Sequence, residues 1–294
     1  LVLDSQGRIR AAIYQDADGN LVEQEAGLFI LACGAVETAR LMLLSKSGRF
    51  PNGLANGSDL VGRNVTFHEY SAAVGTYEDP IYAWAGGGYV SASTFQHYEH
   101  DDSRGFVSGG HVAVAGVGIP LPINWHLPGA PGWGAEAKKV DRDNFNHSLA
   151  VAMVLHDMPR HDNRVDLDDE VVDAWGLPVA RVTLAAHEND LAQGRYLIDR
   201  GADILEASGA RSVNKVYAQR VTGNCSHQHG TARMGDDPGL SVLNRWCRAH
   251  EVENLYAVDG SPFPTGTGAN PTLTIMANAW RVADRIIATR GAAA

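Results

Sequence analysis

Cysteine is scarce in this chain: three in 294 residues, too few for a dense disulfide framework. Cys33, Cys225 and Cys247 stand far apart, none in a CxxC, and read as buried or partly buried thiols. Positive charge is also short. The 24 Lys and Arg against 34 Asp and Glu give a formal net charge of −10. That balance argues against nucleic acid or an anionic lipid surface as a partner and leaves small neutral or cationic substrates open. No apolar run approaches the roughly 20 residues of a transmembrane helix. There is no internal repeat and no low-complexity segment beyond the terminal "GAAA". The chain also lacks an initiator Met and a signal-peptide pattern. It opens on "LVLDSQGRIR", which reads as a strand already inside a fold, and so as a fragment. The compartment, cytoplasmic or periplasmic, stays open. Hydrophobic residues, at 45%, suffice for a large core and two lobes.

The first lobe opens with a hairpin over 8–31, closed by "DADGN" with its Asp-Gly turn. "DADGN" fails as a calcium loop, because its glycine comes two positions early and the closing Glu spacing is wrong. "LFILACGAVETARLMLLS" then reads as strand, glycine turn and helix, with Val36, Ala39, Leu41 and Leu43 on the helix face. Such a junction lets backbone N–H groups approach a ligand, and Gly34 and Ala35 sit at that turn. Residues 46–64 read as a long loop or crossover. Over 65–220 the character changes to short alternating strands ("YSAAVGTY", "GGHVAVAGVGI", "NHSLAVAMVLHD", "NRVDLD", "LPVARVTL") with long loops, an antiparallel sheet. "AAHENDLAQGRYLIDRGADILEASGA" adds an amphipathic helix. From 221 the α/β pattern returns: a strand at Leu255–Val258, the Asp259-Gly260 turn, a Gly/Pro/Thr loop and a long helix. Its apolar face reads as Leu273, Met276, Trp280, Ala283 and Ile287, and Asn270-Pro271 suits N-cap and N1. The fold class expected is α/β plus α+β, with 1–64 and 221–294 forming one lobe and 65–220 a second.

"CSHQHGTARMGDDPG" carries the sharpest chemical question. His227 and His229 stand two apart, so a strand would turn both to one side, with Cys225 as a third donor. That admits a metal site and a zinc-dependent hydrolase, although zinc usually takes longer spacings or HExxH. Either histidine could be a general base, because an ordinary imidazole pKa of about 6.5 lets it take and return a proton at neutral pH. Both could also be structural, the reading favoured for His229. His97 and His100 fall in a loop, and His156 and His161 read as a solvated, charged strand edge.

Four stretches occur in fixed order: "ILACGAVETARLMLLS", "GLANGSDLVGRNVTFHE", "HQHGTARMG" and "NLYAVDGSPFPTGTGANPTLTIMANAWRVAD". Together they resemble the C-terminal part of the glucose-methanol-choline oxidoreductases, flavoenzymes that oxidise alcohols. The likeness is strong to the bacterial branch with gluconate, fructose and glucoside dehydrogenase large subunits and relatives of pyranose oxidase, to which "DAWGLPVARVT" also points. The resemblance implies a Rossmann-like FAD lobe and an antiparallel-sheet substrate lobe. It implies a GxGxxG strand–turn–helix that these 294 residues do not contain and that is expected upstream of Leu1; without it, the chain could be a non-catalytic fragment unable to hold FAD alone. The HxxGT position makes His227 the base. Asn270 matches the second family position and would orient the substrate oxygen, besides its alternative use as a helix cap. Asp259 and Gly260, with weaker support for Gly34 and Ala35, would line the cofactor, and the helix start at Asn270 and Pro271 would face the flavin. His68 matches a recurring position read as structural. The implied substrate is a sugar, polyol or sugar acid, with dehydrogenase preferred over oxidase and a cytochrome or quinone as electron acceptor.

Overall fold

The computed structural model describes residues 1–68, 70–82, 90–115, 131–217 and 226–291. Its elements run β1 (Val2–Leu3), β2 (Ile9–Gln15), β3 (Leu21–Glu25), β4 (Phe29–Leu31), α1 (Ala35–Leu44), β5 (Thr66–His68), β6 (Tyr70–Thr76), β7 (Val90–Thr94) and β8 (His111–Ala115). They continue with α2 (Gly134–Asn144), β9 (Ser148–Val154), β10 (Arg164–Val172), β11 (Pro178–Thr183), α3 (Glu188–Ala207), β12 (Ser212–Val216), β13 (Ser226–His229), β14 (Leu255–Ala257) and α4 (Thr272–Gly291).

The first hairpin closes because Asp16 Oδ1 accepts from the Asp18 and Asn20 N–H groups (3.0 and 2.8 Å), a turn that aspartate makes with its own backbone. β2 and β3 then pair antiparallel, Ala11 opposite Glu25. The second arm was expected to continue through residue 31; instead it ends at Glu25, and β4 leaves for a different sheet. There it pairs in parallel with β14, Phe29 opposite Leu255. Asn254 fixes this exit: its amide bonds both the N–H and the C=O of Ile9 (3.0 and 2.7 Å), and its carbonyl accepts from Phe29 N–H (2.9 Å). Gly34 follows as N-cap of α1 with φ +84°, backbone that suits glycine. α1 buries Ala35, Thr38, Ala39 and Met42, a stripe rotated from the expected one.

The middle of the chain builds a five-stranded antiparallel sheet in the order β12-β6-β9-β8-β7. Strands β10 and β11 were expected in it and form a separate hairpin. Arg40 of α1 holds that hairpin away, bonding Asp173 (2.7 Å) and the Pro178 carbonyl (2.8 Å). Helix α2 was not anticipated, since its sequence is polar all round and buries only Ala137. The expected strand "GGHVAVAGVGI" is described as far as Ala115; the rest of it and most of the following loop lie outside the described residues.

Beside a small cluster of Ala39 of α1 with Val65, Phe67 and Val165, two larger apolar cores form among the described residues. One joins early and late residues: Ile9, Phe29, Leu31, Met42 and Leu54 with Leu243, Leu255, Val282 and Ile286. Phe50, Leu60 and Val61 of the 46–64 loop, which holds no helix or strand, also enter it. The other sets Leu197, Ile198, Ala202 and Leu205 of α3 against Ala73, Val112, Val151 and Met153 of the sheet.

On α4 the buried residues are Asn278, Val282 and Ile286, so the helix is turned the other way from that expected. Leu273, Met276, Trp280 and Ile287 are exposed, Leu273 at 80% and Trp280 at 74%. Apolar residues at helical spacing lie on both sides of α4, and the smaller set faces the core. Cys33, expected to be buried or partly buried, is exposed beyond the end of β4, whereas Cys247 is buried; Cys225 lies outside the described residues. Among the described residues no helix is long and apolar enough to cross a membrane.

Candidate active site

The histidines of "HQHGT" owe their placement to an irregular strand pair. β13 pairs antiparallel with β5, Ser226 opposite His68 and His229 opposite Thr66. Three steps along β13 match two along β5, so β13 carries a bulge, the device that re-aims a side chain. His227 sits in it with φ +60°, uncommon for a residue with a side chain. The bulge breaks the alternation that would have presented His227 and His229 as an ordinary i, i+2 pair. Among the described residues no group of three His, Cys, Asp or Glu is arranged to hold a metal ion.

His227 is half-buried and linked on both sides. Its Nδ1 lies 3.0 Å from Nδ1 of His68, and its Nε2 lies 3.1 Å from Nδ2 of Asn270. Burial lowers its pKa from the ordinary value, which keeps the ring neutral and able to accept a proton at pH 7. His68 is 1% exposed. Burial, then repulsion from His229 and His227, pushes its pKa to about 3, with the Thr267 backbone pulling the other way. His229 is pushed to about 4 by burial, then by His227 and His156. Both its ring nitrogens are buried without a hydrogen-bond partner among the described residues.

His156 belongs to this cluster, contrary to the solvated strand edge expected of it. Its ring is partly buried, its Nδ1 lies 3.1 Å from Ser108 Oγ, and burial lowers its pKa. Its backbone N–H donates to Gln193 of α3 (2.8 Å). No local sequence signal marks His156, because the turn after β9 alone brings it inward. His161 is exposed.

α4 begins at Thr272, and the Ile275 N–H donates to the Pro271 carbonyl (2.9 Å). The first-turn bond therefore falls to Pro271, one residue later than expected. That frees the exposed Asn270 amide to face His227.

Asp259, just after β14, is buried and committed to the protein. Its Oδ2 accepts from Gly34 N–H (3.1 Å) and Thr38 Oγ1 (2.5 Å), and its Oδ1 accepts from Ser261 N–H (2.8 Å). The carboxylate thus staples the start of α1 to the turn after β14. Gly260 is required by close approach: a Cβ there would lie 2.1 Å from the Gln228 carbonyl oxygen. Gln228 and Thr231, which the sequence reading passed over, complete the lacing. Gln228 Oε1 accepts from Val36 N–H (3.3 Å), and Thr231 Oγ1 donates to the Ala35 carbonyl (2.8 Å). Their place inside the HxxGT motif was the available signal. The fold thus gathers His227 and Asn270 at one point and Gly34, Ala35, Asp259 and Gly260 at another, joined through Gln228.

This arrangement suits the reactive end of a flavin. The carboxyl ends of parallel β4 and β14 meet the N-terminus of α1, the position at which open α/β sheets bind ligands. A proton acceptor, His227, meets an amide donor, Asn270, two residues before the start of α4, whose N-terminus favours negative charge. The donor set matches alcohol oxidation: nitrogen groups that take a proton and orient an oxygen. A GxGxxG pyrophosphate cradle is not among these 294 residues.

Comparison with known proteins agrees. Residues 159–279 match the family model described as GMC oxidoreductase. The chain is 35% identical over 287 residues to the 2-methyl-1,2-propanediol dehydrogenase of Mycolicibacterium austroafricanum, covering 95% of this chain and 51% of that protein. It is 33% identical to the paromamine 6'-oxidase of Streptomyces fradiae (88% and 45%) and 31% identical to the fructose dehydrogenase large subunit of Gluconobacter japonicus (97% and 51%). It spans about half the length of these curated relatives. Among solved structures, the formate oxidase of Aspergillus oryzae RIB40 superposes with a TM-score of 0.68 at 17% identity, over 98% of this chain and 59% of that one. These relatives are dehydrogenases and oxidases, and the zinc-hydrolase reading is withdrawn with them. Residues 159–279 thus carry a GMC oxidoreductase domain, and nearly the whole chain is similar to dehydrogenases and oxidases.

Proposed function

We infer that the protein is an FAD-dependent oxidoreductase acting on CH–OH groups, with a sugar, polyol or sugar acid as substrate. FAD, when bound, accepts the hydride from the carbinol carbon, chemistry that belongs to the cofactor. His227 takes the hydroxyl proton at Nε2, the ring edge beside Asn270, and Asn270 orients the substrate oxygen through its amide. Asn cannot itself serve as a base, so the proton falls to His227. Pro271 and the helix start beside it, together with Gly34, Ala35, Asp259 and Gly260, face the cofactor side. Asp259 serves there by holding the turn and the α1 N-terminus in register. Residues 1–64 and 221–294 act as the cofactor lobe and 65–220 as the substrate lobe.

The observation that carries this reading is the 3.1 Å approach of His227 Nε2 to Asn270 Nδ2 at the end of a bulged strand. The names of the relatives, which specify 2-methyl-1,2-propanediol, paromamine and fructose, support a hydroxyl-bearing substrate. The fructose dehydrogenase relative is named a large subunit, which supports a dehydrogenase passing electrons to a cytochrome or quinone partner.

The test is anaerobic reduction of the protein-bound flavin by a panel of sugars and polyols, followed by absorbance. His227→Ala should slow reduction by about 10³-fold or more while flavin stays bound. Unchanged reduction kinetics in that variant would remove His227 from the reaction.

A further inference from the structure

Two histidine rings meet edge to edge beside the proposed base. His68 and His227 approach through their Nδ1 atoms at 3.0 Å, with ring planes at 69°. Two nitrogens so placed need one proton between them: one donates, the other accepts. The far side of His227 decides which. Asn270 presents Nδ2 to its Nε2 at 3.1 Å, and an amide nitrogen only donates. Nε2 of His227 therefore carries the lone pair, and a neutral ring must hold its single proton on Nδ1. That proton points at His68, whose Nδ1 is the acceptor.

We propose that His68 is a positioning residue that fixes the tautomer of His227, accepting from its Nδ1–H and so keeping the Nε2 lone pair turned toward Asn270 and the substrate hydroxyl. The inference rests on His227 being the base. His68 is suited to the task. It is buried on β5, and the titratable groups that face it are His227 and His229 of β13 and His156 after β9, all of which disfavour a charge on its ring. The buried Asp157 carboxylate is turned to the Phe67 N–H (3.3 Å). His68 thus stays a neutral acceptor through the pH range in which an alcohol oxidoreductase works.

The role is one that a carboxylate fills in hydrolytic triads, where it orients the base and stabilises its charged form. A neutral imidazole orients equally well without the full charge that would raise the pKa of the base. When the substrate O–H proton moves to Nε2, His227 becomes an imidazolium. Its Nδ1–H bond to His68 stays in place and strengthens as a charge-assisted bond.

Nitrogen-15 NMR of the purified holoprotein labelled at histidine reads the tautomer directly, with the His227 signals identified by their loss in His227→Gln. The expected result is an Nδ1–H tautomer in the wild type, preserved in His68→Gln, which keeps an acceptor, and lost or mixed in His68→Leu. In flavin reduction by substrate, His68→Leu should lower the limiting rate about 10–100-fold with little change in substrate affinity, as for removal of other orienting partners. His68→Gln should recover most of that loss. An Nε2–H tautomer in a wild-type protein that alcohols do reduce would overturn the positioning role alone. So would a tautomer unchanged in His68→Leu, or equal losses in both variants. A wild-type protein that no alcohol reduces would instead remove the base assignment of His227, and the positioning role with it.

Discussion

The two long helices, α3 and α4, have the same length of 20 residues and opposite fates. α3 turns Leu197, Ile198, Ala202 and Leu205 onto the five-stranded sheet and leaves its charges other than Asp190 outside the core. It even buries Asp190 and Gln193, which bond the backbone of Met158 and His156 and so shape the loop that brings His156 inward. α4 puts the modest Val282 and Ile286 inside and leaves Leu273, Met276, Trp280 and Ile287 in the open. The antiparallel lobe finishes its own packing within the described residues. The parallel pair β4–β14 has two strands, and its helix keeps an uncovered apolar flank. Amphipathic spacing announces a face, and it does not say which of two faces the core will take.

The comparison can be broken most forcefully on α3. Leu197→Ala should destabilise the protein by about 2–5 kcal/mol, the usual cost of a cavity at a fully buried leucine. Denaturant unfolding would show it, and a loss below about 1 kcal/mol would mean the lobe is not packed as described. Acid should come next and strike the histidine cluster on β5 and β13. His68 and His229 have folded pKa values of about 3 and about 4, below the ordinary value. The unfolded chain therefore binds the extra protons, so their stabilising effect is complete above pH 6.5 and drains as the pH falls toward 4. By pH 5 the loss should be about 2 kcal/mol for each ring. Hydrogen exchange at pH 7 and pH 5 would locate it, with β5 and β13 opening before the α3 sheet. The smallest effect belongs to the exposed flank: Trp280→Ala should shift stability by less than about 0.5 kcal/mol. A loss above about 1 kcal/mol would show that this face of α4 is covered in solution.

Much of this architecture could be read from the chain. The strand–turn–helix at Phe29–Leu44, the helix over Glu188–Ala207 and the strand before Asp259 all follow from composition and period. His227 and Asn270 were legible through HxxGT and "GANPT", and the structure brings them within bonding distance. What escaped depends on contacts between distant residues. His68 reaches His227 across 159 positions, and only the three-against-two register of β13 and β5 makes that possible. A single bulge leaves no compositional mark. The face of α4 escaped because Met276 and Trp280 outweigh Val282 in any apolar count, while the core selected for fit. The separate β10–β11 hairpin escaped because alternation marks a strand without naming its neighbours; Arg40 settled that by holding Asp173.

The Asp259 staple has a consequence for how the molecule is made. It joins Gly34 to a partner 225 positions later, and the core beneath it draws on Ile9 and Phe29 as much as on Leu255 and Val282. At a synthesis rate of about 5–20 residues per second, the early strand waits roughly 10–45 s for the other half of its sheet. During that interval β4 lacks its parallel partner and the glycine turn lacks its Asp259 staple, while α1 can already pack on Val65, Phe67 and Val165 and the α3 lobe can close. Residues 29–44 thus settle fully only after the segment that completes their sheet has been made, and until then the Asp259 staple cannot close.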